Sequence, residues 1–318
     1  MYEVSVVIPN YNGSKYLREC FNALLKQNYT GFETILVDNG STDDSLDIMR
    51  QDYSWVKVIS LSENFGFCKA VNEGIHAGTA PYVILLNNDT KVDEDFVEML
   101  LNGIKKSKKR FSCQARMIQY HDHSRMDDAG NYYNALGWAF ARGKGKPVEN
   151  YLREHRVFSC CGGASIYRKS TFEEIGFFDE EHFAYLEDMD IGYRARISGY
   201  RNVYVPEAVV YHVGSGTSGS RYNLFKVRYS SRNNVYLIYK NMPLVQMILN
   251  LPLLIPGFFI KTVFFASKGF GREYIAGIVN GFRLCKKDRK VPFKKKNIPN
   301  YIKIQLELWV NIIRRLNN

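Results

Sequence analysis

The stretch SVVIPNYN at residues 5–12 decides the fold class, because an apolar run typical of a buried strand passes directly into polar residues. The segment that follows, YLRECFNALLK at residues 16–26, has apolar residues at the spacing of a helix. Predicted strands and helices then continue to alternate at residues 32–37, 45–53, 56–61, 68–76 and 82–86. This order predicts an α/β fold in which a mostly parallel sheet is flanked by helices on both faces.

Three of the predicted strands end in clusters of polar residues. The first strand is followed by PNYNG at residues 9–13, the second by DNGSTD at 38–43, and the last by NND at 87–89. In open parallel sheets, ligands bind beyond the carboxyl ends of the strands. We therefore expect the three clusters to meet at one edge of the sheet and to form a binding site there.

The later part of the chain is less regular. Residues 122–158 are rich in glycine, polar and aromatic residues with weak periodicity, which predicts irregular loops or a hairpin that covers a pocket. Order returns at residues 164–167, followed by a predicted helix at 188–198 and by predicted strands at 202–205 and 209–212.

Charge divides the chain near residue 220. Residues 1–220 hold 24 Lys and Arg against 29 Asp and Glu, whereas residues 221–318 hold 19 against 3. The division predicts a catalytic body at 1–220 and a helical extension at 221–318 that meets an anionic partner, either nucleic acid or phospholipid. The acidic character of the body argues against a nucleic-acid partner.

The extension contains a long apolar run, LVQMILNLPLLIPGFFIKTVFFA, at residues 244–266. Its length is close to that needed to span a bilayer, but Pro252, Pro256 and Lys261 interrupt it. A helix lying in the headgroup region beside anionic lipid is therefore favoured. Spanning or re-entrant insertion, packing within the fold, and packing in a homodimer stay open as alternatives.

Cysteine usage and the start of the chain predict a cytoplasmic setting. The six cysteines include no CxxC pair, and Met1 leads into a strand without the cationic start of a signal peptide. Together with the basic extension, these features predict a cytoplasmic protein that lies at the inner face of the cell membrane.

Two carboxylates at strand ends have the chemistry of nucleotide binding. Asp38 is suited to accept the imide N–H of uracil or thymine, with backbone groups of residues 9–12 supplying further contacts. Asp89 is suited to ligate a divalent ion that bridges a diphosphate, while Asn87 contacts the ribose. The structural alternatives are that Asp38 caps a turn and that Asp89 caps the following helix.

The sequence EDMD at residues 187–190 opens a predicted helix. In the functional interpretation, Asp188 is a general base that removes the proton of an acceptor hydroxyl, while Glu187 and Asp190 shape the acceptor side. In the structural interpretation, these carboxylates compensate the helix dipole. His212, after the last strand, is a candidate metal ligand or diphosphate contact, although a lone histidine at a strand end is usually structural.

Six ordered motifs resemble glycosyltransferase family 2, whose members have the GT-A fold. The motifs are SVVIPNYN, VDNGSTDDS, NFGFCKAVNEGI, NNDT, EDMDIGYRARISGY and the stretch that begins at His212. The resemblance implies an inverting transfer of a sugar from a nucleoside diphosphate donor, with Asp38 binding the pyrimidine, Asp188 as the base and Mg²⁺ or Mn²⁺ at Asp89. His212 is a further candidate ligand of that ion. The resemblance implies a donor side formed by Pro9, Asn10, Asn12, Asp38, Asn64, Gly66, Asn72, Asn87 and Asn88.

The chain departs from the family pattern at residues 87–89, where Asn-Asn-Asp replaces the common Asp-x-Asp and removes one carboxylate near the metal. Three stretches resemble the rhamnosyltransferase branch that builds bacterial surface polysaccharides. They are this triplet, CGGASIYRKSTFEEIGFFDE at 161–180 and FAYLEDMD at 183–190. That branch implies dTDP-L-rhamnose as donor and a polyprenyl-diphosphate-linked glycan as acceptor. Gly162 and Gly163 would border the acceptor site, and UDP-hexose donors stay open.

Two other classes fit the sequence less well. A nucleotidyltransferase needs a glycine-rich phosphate loop with a Lys or Arg near the N-terminus, which VIPNYNGSKYL does not supply. A non-catalytic GT-A scaffold would have no need of Asp38, Asp89 and Asp188 together.

Overall fold

The computed structural model describes residues 1–214 and 222–316, so the predicted boundary at residue 220 lies outside the described residues. The strands are β1 (Val4–Asn10), β2 (Phe32–Asp38), β3 (Lys57–Ser60), β4 (Tyr82–Leu86), β5 (Thr90–Val92), β6 (Arg110–Gln119), β7 (Asp122–Asp128), β8 (Asn131–Tyr133), β9 (Ala139–Ala141), β10 (His155–Val157), β11 (Ala164–Arg168) and β12 (Arg201–His212). The helices are α1 (Ser14–Leu25), α2 (Ser45–Asp52), α3 (Phe67–Ala77), α4 (Phe96–Lys105), α5 (Lys169–Ile175), α6 (Glu187–Ile197), α7 (Leu224–Asn241), α8 (Leu244–Ser267), α9 (Gly271–Leu284) and α10 (Ile298–Leu316).

One large sheet forms the centre of the molecule, with strand order β3-β2-β1-β4-β11-β6-β12-β10. Strands β1 to β4 run parallel to one another, and β6 runs parallel to β12. Between these two groups lies β11, which is antiparallel to both of its neighbours. The predicted α/β architecture with a mostly parallel sheet is confirmed.

The strand register aligns the polar clusters at the carboxyl edge of the sheet. Asn10 at the end of β1 lies opposite Asp38 at the end of β2, and Val7 lies opposite Leu85 near the end of β4. Because parallel strands in register end at the same level, the residues that follow them share one edge.

Apolar residues fill both faces of the sheet, as side chains alternate along each strand. Val6 and Ile8 of β1 pack on the side of α1, α2 and α4, whereas Val7 packs on the side of α3, α5 and α6. The helices on both faces therefore fix the level of the strand ends.

The C-terminal helices pack on the body rather than standing apart from it. A third apolar cluster joins the two parts, and it includes Tyr133, Phe158 and Tyr193 of the body with Leu237, Leu254 and Leu308 of the extension. At Gly257 of α8, an added Cβ would lie 2.1 Å from the carbonyl oxygen of Leu136, so only glycine permits this close approach.

Several elements differ from the sequence-based expectation. In residues 122–158, β8 and β9 form a hairpin, one of the two forms expected there, whereas the pairing of β7 with β6 and of β10 with β12 was not predicted. The two strands expected at 202–205 and 209–212 form the single strand β12, whose register shifts between Val205 and Val209. Pro206 lies in this shift, where it has no N–H to contribute to the ladder.

Helix α8 continues through Pro252 and Pro256. Within residues 1–214 and 222–316, it is the one helix whose length and composition would allow it to cross a membrane. In its most apolar stretch of 18 residues, 17% is buried.

Candidate active site

A cavity of about 910 Å³ opens at the carboxyl edge of the sheet. Its lining includes residues from all three polar clusters and from the start of α6. The predicted site residues that it brings together are Pro9, Asn10, Asn64, Gly66, Asn87, Asn88, Asp89, Gly162, Gly163, Glu187, Asp188 and His212. Asn12, Asp38, Asn72 and Asp190 are not among the described residues that line it.

Asp38 lies beneath the cavity and supports its floor. It is 1% exposed, and its carboxylate accepts hydrogen bonds from the side chain of Asn10 at 2.9 Å and from the backbone N–H of Ser41 at 3.0 Å. Asn10 in turn accepts a bond of 2.6 Å from the side chain of Asn88. This network orients the two amides that border the cavity, and recognition of a pyrimidine by Asp38 stays a prediction.

Asn39 is a site residue that the sequence reasoning did not select. Its side chain donates to the side chain of Asn64 and to the carbonyl of Gly66, at 2.9 and 3.1 Å. Gly66 has φ +91°, and an added Cβ would lie 2.6 Å from the ring of Phe183. Asn39 therefore fixes the loop at 64–66 against the cavity, where only glycine fits.

Asn12 and Asn72 have structural contacts outside the cavity. The side-chain oxygen of Asn12 accepts from the N–H of Thr42 at 2.8 Å. Asn72 donates to the carbonyl of Phe178 at 2.8 Å and accepts from the N–H of the same residue at 3.1 Å, which holds residue 178 against α3.

A charged triad lies where β4, β7 and β12 end. His212 Nδ1 is 2.8 Å from Asp127, and its Nε2 is 3.3 Å from Asp89. Burial opposes protonation of this imidazole, but its contacts with Asp127 and Asp89 outweigh burial and raise the pKa of His212 to about 9. Although burial again works in the opposite direction, His212 and Lys144 lower the pKa of Asp127 to about 2.

In this triad the protonated imidazole of His212 offsets the charge of two carboxylates, and its Nε2 can ligate a cation only after it loses its proton. Asp127 contacts Nδ1 of His212, and this contact turns Nε2 of the same ring toward the carboxylate of Asp89. A carboxylate behind the ring orients a histidine ligand in this way. Within the described residues, no three His, Cys, Asp or Glu side chains form a complete metal-binding group. The sequence reasoning missed Asp127, because the MDD triplet lies in a stretch that was predicted to be irregular.

Glu187 and Asp188 present two half-buried carboxylates at the start of α6. The side chain of Asn131 donates to Asp188 at 3.2 Å, and the N–H of Met189 donates to it at 2.6 Å. Burial raises the pKa of Asp188, although the bond from Met189 opposes this shift. Burial and the neighbouring charge of Asp188 raise the pKa of Glu187, whose Oε2 has no hydrogen-bond partner among the described residues.

Asp190, two residues further along the helix, is paired instead. It is fully buried and accepts hydrogen bonds from Arg194 at 2.9 Å and from Lys240 at 2.9 Å. Although burial acts in the opposite direction, these cations hold the pKa of Asp190 well below its usual range. The structure thus places Asp190 in the joint between α6 and α7, away from the cavity.

A strained segment immediately precedes Glu187. Phe183, Tyr185 and Leu186 have positive φ values of 60°, 73° and 65°. Asn233 of α7 holds this segment, because its two amide N–H groups are shared among three backbone carbonyls, those of His182, Ala184 and Tyr185, which lie 2.8, 2.9 and 2.7 Å from the nitrogen. A left-handed backbone at non-glycine residues persists only where the surroundings hold it. Asn233 therefore sets the direction in which the two carboxylates enter the cavity.

Comparison with known proteins identifies the family. The sequence profile of Glycosyl transferase family 2 matches residues 5–176, more than half of the chain. The chain belongs to this family. Among solved structures, Staphylococcus aureus TarS 1–349 in complex with UDP-GlcNAc superposes with a TM-score of 0.61 at 18% identity, covering 96% of this chain and 91% of that one. The fold is that of the GT-A glycosyltransferases.

Two relatives of known name match parts of the chain at modest sequence identity. Glycosyltransferase GlyG of Streptococcus pneumoniae is 35% identical over 134 residues, which are 41% of this chain and 42% of that protein. The N-acetylglucosaminyl-diphospho-decaprenol L-rhamnosyltransferase of Mycobacterium tuberculosis is 28% identical over 240 residues, 67% of this chain and 77% of that one. The match to GlyG thus spans less than half of that relative's length.

Replacing Asn233 tests its role as a positioning residue. Asn233→Ala removes the two N–H groups that three carbonyls of the segment before Glu187 share, so we expect the turnover number for sugar transfer to fall by roughly 100-fold, as for a small misplacement of a reacting group. Nucleotide binding, measured by calorimetry, should not change. Asn234→Ala is the matched control, because this buried neighbour donates to Gly137 instead. Equal losses in the two variants would contradict the assignment.

Proposed function

We propose that the protein is an inverting glycosyltransferase that moves a sugar from a nucleoside diphosphate donor to an acceptor hydroxyl. The observation that carries this proposal is that Asp89, His212 and the half-buried Asp188 line the same cavity. Asp89 and His212 have the chemistry to receive a leaving diphosphate, and Asp188 can accept a proton. A single displacement needs both in one space.

Asp188 is the proposed general base. The acceptor oxygen forms a bond to the anomeric carbon of the donor while the bond from that carbon to the diphosphate breaks, and the acceptor proton passes to Asp188. Attack opposite the leaving group inverts the anomeric centre. Because burial raises the pKa of Asp188, its ionised form is a stronger base than an exposed aspartate.

Mg²⁺ or Mn²⁺ is the proposed cofactor. Asp89 and His212 would hold the ion, and Asp127 would orient the imidazole from behind. When bound, a divalent cation stabilises the negative charge that develops on the leaving diphosphate. Two structural neighbours support this choice, since GalNAc-T7 was solved with UDP, GalNAc and Mn²⁺ and the mannosyltransferase PcManGT with GDP-Man and Mn²⁺.

For the substrates, we infer dTDP-L-rhamnose as the donor and a polyprenyl-diphosphate-linked glycan as the acceptor, in the synthesis of a cell-surface polysaccharide. The mycobacterial relative, named for rhamnosyl transfer to N-acetylglucosaminyl-diphospho-decaprenol, supports this inference. A UDP-sugar donor is the second candidate, supported by the complex of TarS with UDP-GlcNAc. Gly162 and Gly163 would then border the acceptor, since both line the cavity near Asp188.

The extension is proposed to hold the enzyme at the inner leaflet of the membrane. One face of α8 carries exposed apolar residues, among them Ile255 and Phe259 at 62% and 67% exposure. The surrounding segment 221–318 holds 19 Lys and Arg against 3 Asp and Glu, which complements anionic lipid. An apolar helix face bordered by basic residues suits the headgroup region.

Asp188→Asn should abolish transfer while preserving the fold. We expect the turnover number to fall by roughly 10²- to 10⁴-fold, the usual contribution of a general base. The variant should melt at or above the wild-type temperature at neutral pH, because it removes a half-buried carboxylate whose raised pKa makes it costly to ionise. Calorimetric titration with the nucleoside diphosphate should give wild-type affinity. Transfer at wild-type rates would rule out Asp188 as the base.

The pH profile of the wild-type enzyme tests the same group. A base must be deprotonated to act, and a raised pKa means that Asp188 takes up its proton at a higher pH than an ordinary aspartate. The value of kcat/KM should therefore fall with decreasing pH, with an apparent pKa clearly above the usual 3.8 of aspartate. An acid limb at or below that value would contradict the proposed environment.

A donor screen tests the substrates and the cofactor together. We expect dTDP release from dTDP-L-rhamnose in the presence of Mg²⁺ or Mn²⁺ and a lipid-linked acceptor extract, and loss of that release on addition of EDTA. Release of UDP from UDP-glucose or UDP-galactose instead would select the second candidate. Absence of both release and nucleotide binding would contradict the enzymatic proposal.

Vesicle binding tests the proposed role of α8. Ile255→Ser with Phe259→Ser should weaken sedimentation with vesicles of phosphatidylcholine and phosphatidylglycerol by roughly tenfold or more, because each side chain loses burial free energy in lipid. Leu25→Ser with Leu152→Ser, two exposed positions on the body, is the matched control. Unchanged vesicle binding with loss of a dimer in analytical ultracentrifugation would assign the face to a second copy of the chain.

A further inference from the structure

A second cavity, of about 530 Å³, lies between α7 and α9, and we refer to it as the arginine cleft. Arg228 and Arg232 of α7 and Arg283 of α9 line it, with the rings of Phe225 and Tyr229. Among its described lining residues, Glu273 is the one carboxylate. The cleft therefore concentrates positive charge at one position on the extension.

The arginines are arranged so that two of their guanidinium groups remain accessible. Arg228 is 3.8 Å from Glu273, beyond hydrogen-bond distance, and its side chain is 53% exposed. Arg283 is exposed and donates to Asn280 at 3.1 Å. Arg232 lies deeper, 4.4 Å over the ring of Tyr229. Guanidinium groups bind phosphate through paired N–H donors, and an anion between like charges offsets their repulsion.

The arginine cleft adjoins the active-site cavity. Phe225 lines both spaces, and Lys226 and Ser230 on the same helix line the active-site cavity. The ring of Phe225 also lies 5.9 Å from that of Tyr185, in the segment that precedes the catalytic carboxylates. A ligand that extends past Phe225 would thus occupy the cleft and the cavity together.

An apolar stripe runs along the outside of α9. Ile275, Val279 and Phe282 recur at intervals of four and three residues, so they share one helix face, and they are 51%, 48% and 65% exposed. Phe282 immediately precedes Arg283, which places apolar surface beside the mouth of the cleft. This combination matches a ligand with a phosphate group followed by a hydrocarbon chain.

We propose that the arginine cleft binds the diphosphate of a lipid-linked acceptor whose sugar occupies the active-site cavity and whose hydrocarbon chain passes the stripe on α9. Charge, the shared wall at Phe225 and the neighbouring apolar stripe all favour this ligand. The inference rests on the proposed function, because it names the part of the acceptor that the catalytic cavity does not hold. Recognition of a diphosphate would select lipid-linked saccharides over free ones.

Binding without turnover is the first test. Phosphatidylcholine vesicles would be doped with a polyprenyl diphosphate, with the corresponding polyprenyl alcohol, or with phosphatidylglycerol. The wild type should prefer the diphosphate vesicles, and Arg228→Gln with Arg283→Gln should lose that preference by about tenfold or more. Lys268→Gln with Arg272→Gln removes the same charge at exposed positions nearby and should retain it. Arg232 is left intact because it donates to the carbonyls of Glu181 and His182.

Two results would overturn the assignment. Equal diphosphate preference in the wild type and the arginine variant would show that the cleft does not bind this group. An equal loss on phosphatidylglycerol vesicles would show a general attraction to anionic headgroups.

Kinetics separate this inference from the proposed function. With the lipid-linked acceptor, the arginine variant should show an acceptor KM raised about tenfold or more, at an unchanged donor KM. With an alkyl glycoside of the same sugar, which carries no phosphate, it should match the wild type. Equal losses on both acceptors would overturn the cleft assignment. If the wild type transfers no sugar yet prefers diphosphate vesicles, and the arginine variant loses that preference, the proposed function fails and the cleft assignment stands.

Discussion

The site depends on the hydrogen bonds of the Asn233 amide, whose two N–H groups are shared among three backbone carbonyls. They hold the left-handed segment at 183–186, and that segment leads directly into Glu187 and Asp188. Because Asn233 belongs to α7, the C-terminal helices position the two carboxylates at the start of α6. The extension thus helps to form the cavity, as well as being the proposed contact with lipid.

At the start of α6, the surroundings of Asp188 and Asp190 shift the pKa values of these two carboxylates in opposite directions. Asp190 is paired with Arg194 and Lys240, so it stays ionised and joins two helices. Asp188 points into the cavity, where amide donors contact it and burial raises its pKa. The helix dipole acts on both residues, so it does not account for the difference. Pairing decides which carboxylate is structural and which can exchange a proton.

Much of the fold could be predicted from local patterns, and the failures have a common cause. Apolar runs identified β1, β2 and β4, because these strands are buried on both faces. Strand β6 was not predicted, since Arg110–Gln119 contains buried polar residues such as Gln114, which bonds to Asp128 and to the N–H of Cys161. Asp127 was missed for the same reason. Polar residues satisfied by distant partners leave no periodic signal in a sequence.

The sequence by itself determined the family, the α/β order and the set of polar residues at the strand ends, because these depend on neighbours within a few positions. Only the tertiary structure decided which of those residues reach the cavity. It placed Asp38 beneath the cavity floor, Asp190 in a buried ion network, and Asp127 behind His212. Each of these positions depends on a partner far away in the chain, and such distances become short only when the sheet and the C-terminal helices pack together.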